Sequence, residues 1–167
     1  MSAESDEEFR EFMRGRWPAM VRLAYGLTGD LGHAEDVAQA AFARAYASWS
    51  RVKRTGDPDA YVAKIVINEN LSRFRKRRVV EDLVGAVPEG AAQSAVDALG
   101  DSEALLRALR KLGPRQRAVI VARYWLDMSE AETAAALNCS VGTVKSQASR
   151  ALAALRGSAE LMEGERQ

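Results

Sequence analysis

Covalent chemistry has little to work with in this chain. One histidine, His33, and one cysteine, Cys139, are all that its 167 residues supply. A serine–histidine–acid triad would have to be built around His33, and no supporting pattern of nucleophile and acid accompanies it. Structural zinc needs about four Cys or His ligands; no such cluster, no phosphate-cradling glycine loop and no motif of paired carboxylates is present. No enzyme activity, metal or cofactor is therefore expected. The polar residues that do share a spacing are Thr143, Ser146, Ser149 and Arg150. At about 100° per residue they fall on one face of a helix, with Val141, Val144, Ala148, Ala151, Leu152 and Leu155 on the other. Small hydroxyl residues let a helix backbone approach a duplex and bond its phosphates or bases, and an arginine can fork onto guanine O6 and N7. A solvated helix on a three-helix bundle would present the same face, so the neighbouring elements must decide.

Those neighbours have a definite order. Leu105, Leu106, Leu109 and Leu112 predict an amphipathic helix that stops at Gly113-Pro114, and Pro114 opens another through Val119, Ile120 and Tyr124. Ser129, with Glu132 three residues on, has the capping-box spacing and predicts a short helix ending near Leu137. Asn138-Cys139 predict a tight turn, and Ser140 caps a final helix from Val141 to about Arg156. A short helix, a turn and a longer helix form the helix-turn-helix plan, in which the second helix enters the major groove by its N-terminal half.

The rest of the chain also reads as helical, with no segment of sustained period-two alternation. Helix is expected from about Glu7, with a kink or restart at Trp17-Pro18, because proline lacks an amide hydrogen and restricts the residue before it. Leu27–Gly32 reads as a turn. A helix from about His33 to Trp49 follows, with Val37, Ala38, Ala41, Phe42, Ala45 and Tyr46 on one face. Residues 50–57 read as a basic loop, and Asp57-Pro58 start a helix to about Arg78. The formal net charge is only +1, but it is unevenly spread: residues 9–78 hold 14 bases and 7 acids, residues 79–103 six acids and no base, and residues 104–157 nine bases and three acids. Two basic modules fit an extended polyanion. The glycines, proline and small residues between them read as a linker, with a packed loop or weak helix as the other reading. The expected organisation is an all-α protein of two small helical domains joined by an acidic flexible linker: an acidic tail (1–8), a first domain (9–78), the linker (79–102), a helix-turn-helix domain (103–157) and a C-terminal tail (158–167).

Three stretches, in order, give this chain a family likeness. A-E-D-V-A-Q-A-A-F-A-R-A-Y-A-S-W (34–49), D-P-D-A-Y-V-A-K-I-V-I-N-E-N-L-S-R-F-R-K-R-R (57–78), and L-R-K-L-G-P-R-Q-R-A-V-I-V-A-R-Y-W-L-D-M-S (109–129) followed by L-N-C-S-V-G-T-V-K-S (137–146) resemble the extracytoplasmic-function sigma factors of bacterial RNA polymerase. The likeness covers about residues 9–157, and the length fits the minimal two-domain group. It implies a polymerase-binding helix, a promoter-melting helix and a DNA-reading domain, with core RNA polymerase and promoter DNA as partners and an anti-sigma protein as the usual regulator.

By that resemblance Asp36, Gln39 and Phe42 match positions facing the polymerase clamp. Two readings of this trio stand: a polar rim around an apolar contact, or a helix N-terminal acid and a core phenylalanine. Asn68 matches the asparagine of the melting helix. Lys53, Arg54 and Lys64 would supply charge to a pocket for unstacked bases, and Arg75, Lys76 and Arg77 would grip phosphates. Tyr61 joins this set, although Trp49, Tyr61 and Phe74 read first as core aromatics. Arg123, Lys145, Ser146, Ser149 and Arg150 match contacts to the minus-thirty-five element, joined by Thr143 from the helix face. Val66-Ile67 and Ser72 stand where the family often has Ala-Arg and aspartate, and Gln147 and Ser149 where it often has arginine and a bulkier residue, which leaves the base preferences unassigned.

The expected function is promoter recognition and melting as a polymerase subunit. A helix-turn-helix regulator acting on duplex DNA alone, or a helical adaptor using 34–49 to bind a protein, are the rivals, and neither accounts for all three stretches. The N-terminus is acidic and no apolar run is long enough to span a bilayer, so a cytoplasmic protein without membrane insertion is expected. Cys139 reads as a packing residue in the absence of a resolving thiol.

Overall fold

A computed structural model of the chain describes residues 1–84 and 102–165. Among these, every regular element is helical, which bears out the all-α expectation. The chain divides into two compact units, Met1–Pro88 and Glu89–Gln167. The expected linker begins with residues 79–84, which continue a helix, and its segment 85–101 lies outside the described residues.

In the first unit, α1 (Ala3–Thr28), α2 (Leu31–Ala47), α3 (Trp49–Arg54) and α4 (Pro58–Val84) form a bundle in which α1, α2 and α4 pack on one another. Helix α2 buries Ala34, Val37, Ala38, Ala41, Phe42 and Ala45, a stripe of helical period whose alanines let neighbouring backbones come close. Helix α4 answers with Val62, Ala63, Val66, Ile67 and Leu71. An aromatic group closes one end of the core: Phe42 meets Phe9 at 6.4 Å, Phe12 at 6.2 Å and Trp17 at 5.9 Å between ring centroids, and Trp49 meets Phe9 at 5.3 Å. Such pairs add about 0.5–1.5 kcal/mol each beyond the area they bury.

Four local expectations are corrected here. Helix α1 starts at Ala3, not near Glu7, with the Ser2 hydroxyl accepting from the Ser5 amide at 3.2 Å. It also runs unbroken past Pro18. An interior proline costs about 3 kcal/mol, but here Phe9 on one side of it and Met20, Leu23, Ala24 and Leu27 on the other are all buried, so tertiary packing overrides the local preference. Residues 50–54 belong to helix α3, not to a loop, because Trp49 and Val52, three apart, both enter the core. Helix α4 continues beyond Arg78 to Val84. The remaining helix boundaries of this unit have ordinary causes. Gly29 ends α1 in the left-handed region, Asp30 caps α2 through the His33 amide at 2.9 Å, and Asp57 caps α4 through the Ala60 amide at 3.1 Å.

The second unit comprises α5 (Ser102–Arg110), α6 (Pro114–Ile120) continued by a π turn (Val121–Trp125), α7 (Glu130–Leu137) and α8 (Val141–Glu165). Leu109, Leu112, Ile120 and Ala151 form a core against which Leu152 and Leu155 pack. The Arg117 guanidinium donates to the carbonyls of Leu109 at 2.9 Å and Leu112 at 3.0 Å, joining the end of α5 and the turn after it to α6. Helix α8 runs past Arg156 to Glu165.

Candidate nucleic-acid and polymerase interfaces

The helix-turn-helix of the second unit is assembled by its caps. Ser129 and Glu132 complete a reciprocal capping box, at 3.0 Å and 2.9 Å, that starts α7. Asn138 ends α7 in the left-handed region, which asparagine tolerates, and the Cys139 amide returns to the Ala134 carbonyl at 3.0 Å. Ser140 then accepts from the Thr143 amide at 3.1 Å to start α8. Buried Val144 and Ala151 anchor α8, so its opposite face is turned outward, as the spacing predicts. Val141, expected on the apolar face, is instead exposed at the helix start.

On that outward face Lys145, Ser146, Ser149 and Arg150 are distributed as follows: Lys145, Ser149 and Arg150 lie towards solvent, and Ser146 stands beside them one turn from the cap. Ser146 donates to the Gly142 carbonyl at 3.3 Å, which leaves its oxygen as an acceptor, and Lys145 lies 3.7 Å from Glu130 across the turn. Thr143 is half-buried and its hydroxyl sits 2.9 Å from that of Ser140, so part of its bonding capacity is spent on the cap. Arg123 is also half-buried, and its guanidinium donates to the Met128 carbonyl. That bond ties the end of the π turn to the start of the helix-turn-helix. The π turn itself gave no sequence signal. It is closed by the Leu126 amide reaching back to the Val121 carbonyl at 3.0 Å, and it leaves Tyr124 and Trp125 exposed.

In the first unit, four of the eight residues expected to melt DNA fall into a stripe. At about 100° per residue, Tyr61, Lys64, Asn68 and Arg75 share one side of α4. Tyr61 and Lys64 are half-buried, and Asn68 and Arg75 are exposed. Lys76 is exposed at the edge of this stripe, and Arg77 is exposed on the far side of the helix. On α3, Lys53 is held by Glu8 of α1 at 2.6 Å, and Arg54 donates to the Ser50 carbonyl at 3.3 Å. Among the core aromatics, Trp49 is buried as expected, while Phe74 is exposed.

The trio expected to face the polymerase divides. Asp36 and Gln39 are exposed one turn apart on α2, whereas Phe42 is 2% exposed and packs among Phe9, Phe12 and Trp17. Of the two readings of Phe42, the core one describes its place. Two contacts of the N-terminal turns were not anticipated: Glu8 with Lys53, and the Tyr46 hydroxyl donating to Asp6 at 2.9 Å, a bond that raises the phenol above its ordinary pKa. A third is an acid on α4, Glu69, between Arg44 of α2 and Arg73. The contacts between helices join residues far apart in the chain, and no periodicity marks them; only Glu69 with Arg73 has the i,i+4 spacing of a helix.

Comparison with known proteins meets this geometry unit by unit. Residues 16–79 match the family described as Sigma-70 region 2, and residues 102–155 match Sigma-70, region 4. The chain is 40% identical to the RNA polymerase sigma-E factor of Streptomyces coelicolor over 149 residues, which is 89% of this chain and 84% of that protein. It is 30% identical to the ECF RNA polymerase sigma factor SigW of Bacillus subtilis, covering 81% and 80% of the two chains. Among solved structures it resembles the sigma factor RpoE of Bartonella quintana, crystallised with the anti-sigma factor NepR, with a TM-score of 0.73, 29% identity and coverage of 92% of this chain and 98% of the other. With both sigma-70 regions present and a helix-turn-helix where region 4 matches, the chain belongs to the extracytoplasmic-function sigma factors of bacterial RNA polymerase.

Proposed function

We propose that the two units divide promoter work between them, with α2 providing the attachment to polymerase. The outward face of α8 reads the upstream element as duplex: Arg150 addresses base edges, Ser149 and Ser146 bond phosphates or bases, and Lys145 adds a phosphate contact. Thr143 and Arg123 hold the reading helix in place as much as they touch DNA. In the first domain, the stripe of Tyr61, Lys64, Asn68 and Arg75 takes the unstacked strand near the start site, with Lys53, Arg54 and Lys76 along its phosphates; Arg77, on the far side of α4, stands outside this set. Asp36 and Gln39 form the rim that meets the core enzyme, and Phe42 supports that rim from beneath. The work is binding and strand capture without covalent chemistry, carried out in the cytoplasm. Domain limits near 9–78 and 103–157 fit these roles. An anti-sigma protein is proposed as the inhibitory partner, by analogy with the relative crystallised with one.

The observation that most supports the division is the single stripe on α4. Burial of Val62, Val66 and Ile67 by itself leaves the opposite side of α4 polar; what the stripe adds is an aromatic, an amide and cations together, a set able to stack on, bond and neutralise an unpaired strand. The test is reconstituted transcription: purified protein, sigma-free bacterial core polymerase and fragmented genomic DNA, with RNA starts mapped. Discrete starts sharing two upstream elements are expected. Specific duplex binding by the free protein, with no starts and no association with core enzyme, would overturn the reading.

A further inference from the structure

The acid beside Asn68 is out of place by ordinary rules. Glu69 has a side chain only 11% exposed, on a helix whose neighbouring inward positions are Val66, Ile67 and Leu71. A carboxylate in such a position persists only if it is paired. Two arginines do this from different helices. Arg73, one turn along α4, donates through Nε to Oε1 at 3.3 Å, and Arg44 of α2 brings Nη2 within 3.2 Å of Oε2. The second contact is ionic and lacks hydrogen-bond geometry, since Oε2 accepts no hydrogen bond. Both arginines are substantially exposed, so solvent screens the pairs and their worth to stability is small. What the Arg44 pair adds is a point of attachment between the two helices. The apolar contacts between α2 and α4 are non-directional and permit small rotations or slips of one helix on the other. A charge tie between set positions on the two helices disfavours those slips that would separate Arg44 from Glu69.

We propose that Glu69 is a positioning residue that sets the register of the melting helix against the polymerase-bound helix. Arg44 lies on the same helix as Asp36 and Gln39, and Glu69 lies next to Asn68, so the tie fixes where the strand-capturing stripe stands once α2 is docked on the core enzyme. Through Arg73 it also fixes the start of the basic run within α4. This inference rests on the roles proposed above for α2 and α4.

The experiment compares Glu69→Gln, Arg44→Ala, the double variant and Asn68→Ala as holoenzyme at saturating core polymerase. Promoter opening is read by permanganate reactivity of thymines, and core affinity and thermal midpoint are measured in parallel. Glu69→Gln keeps the shape of the side chain and removes its charge. It is expected to lower opening by about tenfold with core affinity and midpoint nearly unchanged, and the double variant to be no worse than the more impaired single variant, a non-additivity that marks residues acting through one contact. Normal opening by Glu69→Gln beside impaired opening by Asn68→Ala overturns the register role alone. Normal opening by both overturns the melting role of α4, and the inference with it. A fall in thermal midpoint that accounts for the loss of opening, with additive effects in the double variant, reduces Glu69 to an ordinary structural residue and overturns the proposal.

Discussion

The outward face of α8 and the stripe on α4 are built differently. On the outward face of α8, Lys145 stands 3.7 Å from Glu130, but Arg150 has no ion-pair partner among the described residues, and Ser149 and Arg150 both lie towards solvent. The constraints sit around them, in the capping box at Ser129, the Asn138 turn and the bond from Arg123 to Met128. Around the stripe on α4, neighbouring charged groups are tied down: Lys53 by Glu8, and Arg73 and Arg44 by Glu69, while within the stripe Tyr61 and Lys64 are half-buried and Asn68 and Arg75 are exposed. A preformed duplex presents its groups at fixed positions, so a rigid helix with free donors suffices to read it. An unstacked strand must be caught and held, which rewards groups whose positions are fixed before the strand arrives.

The largest effect that would break this comparison concerns Phe42. If its ring is core, as its contacts indicate, Phe42→Ala should destabilise the first unit by about 3–5 kcal/mol in denaturant unfolding, whereas Gln39→Ala should leave stability unchanged and weaken association with core polymerase. Unchanged stability in Phe42→Ala would return the residue to the docking surface. Next is Arg150. Its truncation should cost about 1–3 kcal/mol of discrimination at one position of the upstream element, with opening on a preferred promoter otherwise intact once the complex has formed; binding measured across a library of upstream sequences reads this directly. A uniform loss across all sequences would make Arg150 a phosphate contact instead. Smaller still, Ser129→Ala should remove about 1 kcal/mol from the second unit by deleting its half of the capping box, seen as a lower midpoint for that unit alone.

How legible these features were depended on whether their cause was local. The α2 stripe from Ala34 to Ala45, the capping box, the Asn138 turn and the outward face of α8 follow from spacing and cap chemistry over a few residues, and the structure contains them. Pro18 misled because its cost is local while its compensation, the packing of both halves of α1, is tertiary. Residues 50–54 read as a loop from composition, but the burial of Trp49 and Val52 makes them a helix. The pairing of Glu69 with Arg44 could not be read at all, since it depends on how two helices meet. Asn68, Lys64 and Arg75 were found through family resemblance; only the helix geometry shows that they share a side.

The most direct test of the division of labour is an artificial bubble. Asn68→Ala and Arg150→Ala holoenzymes are compared on an ordinary promoter and on the same promoter with the start region already unpaired by mismatch, and complex formation and run-off RNA are measured on each. The two-region account predicts that Asn68→Ala is strongly impaired on the ordinary promoter and largely restored on the bubble, while Arg150→Ala keeps its upstream-recognition defect on both. Equal restoration of both variants, or of neither, would contradict it.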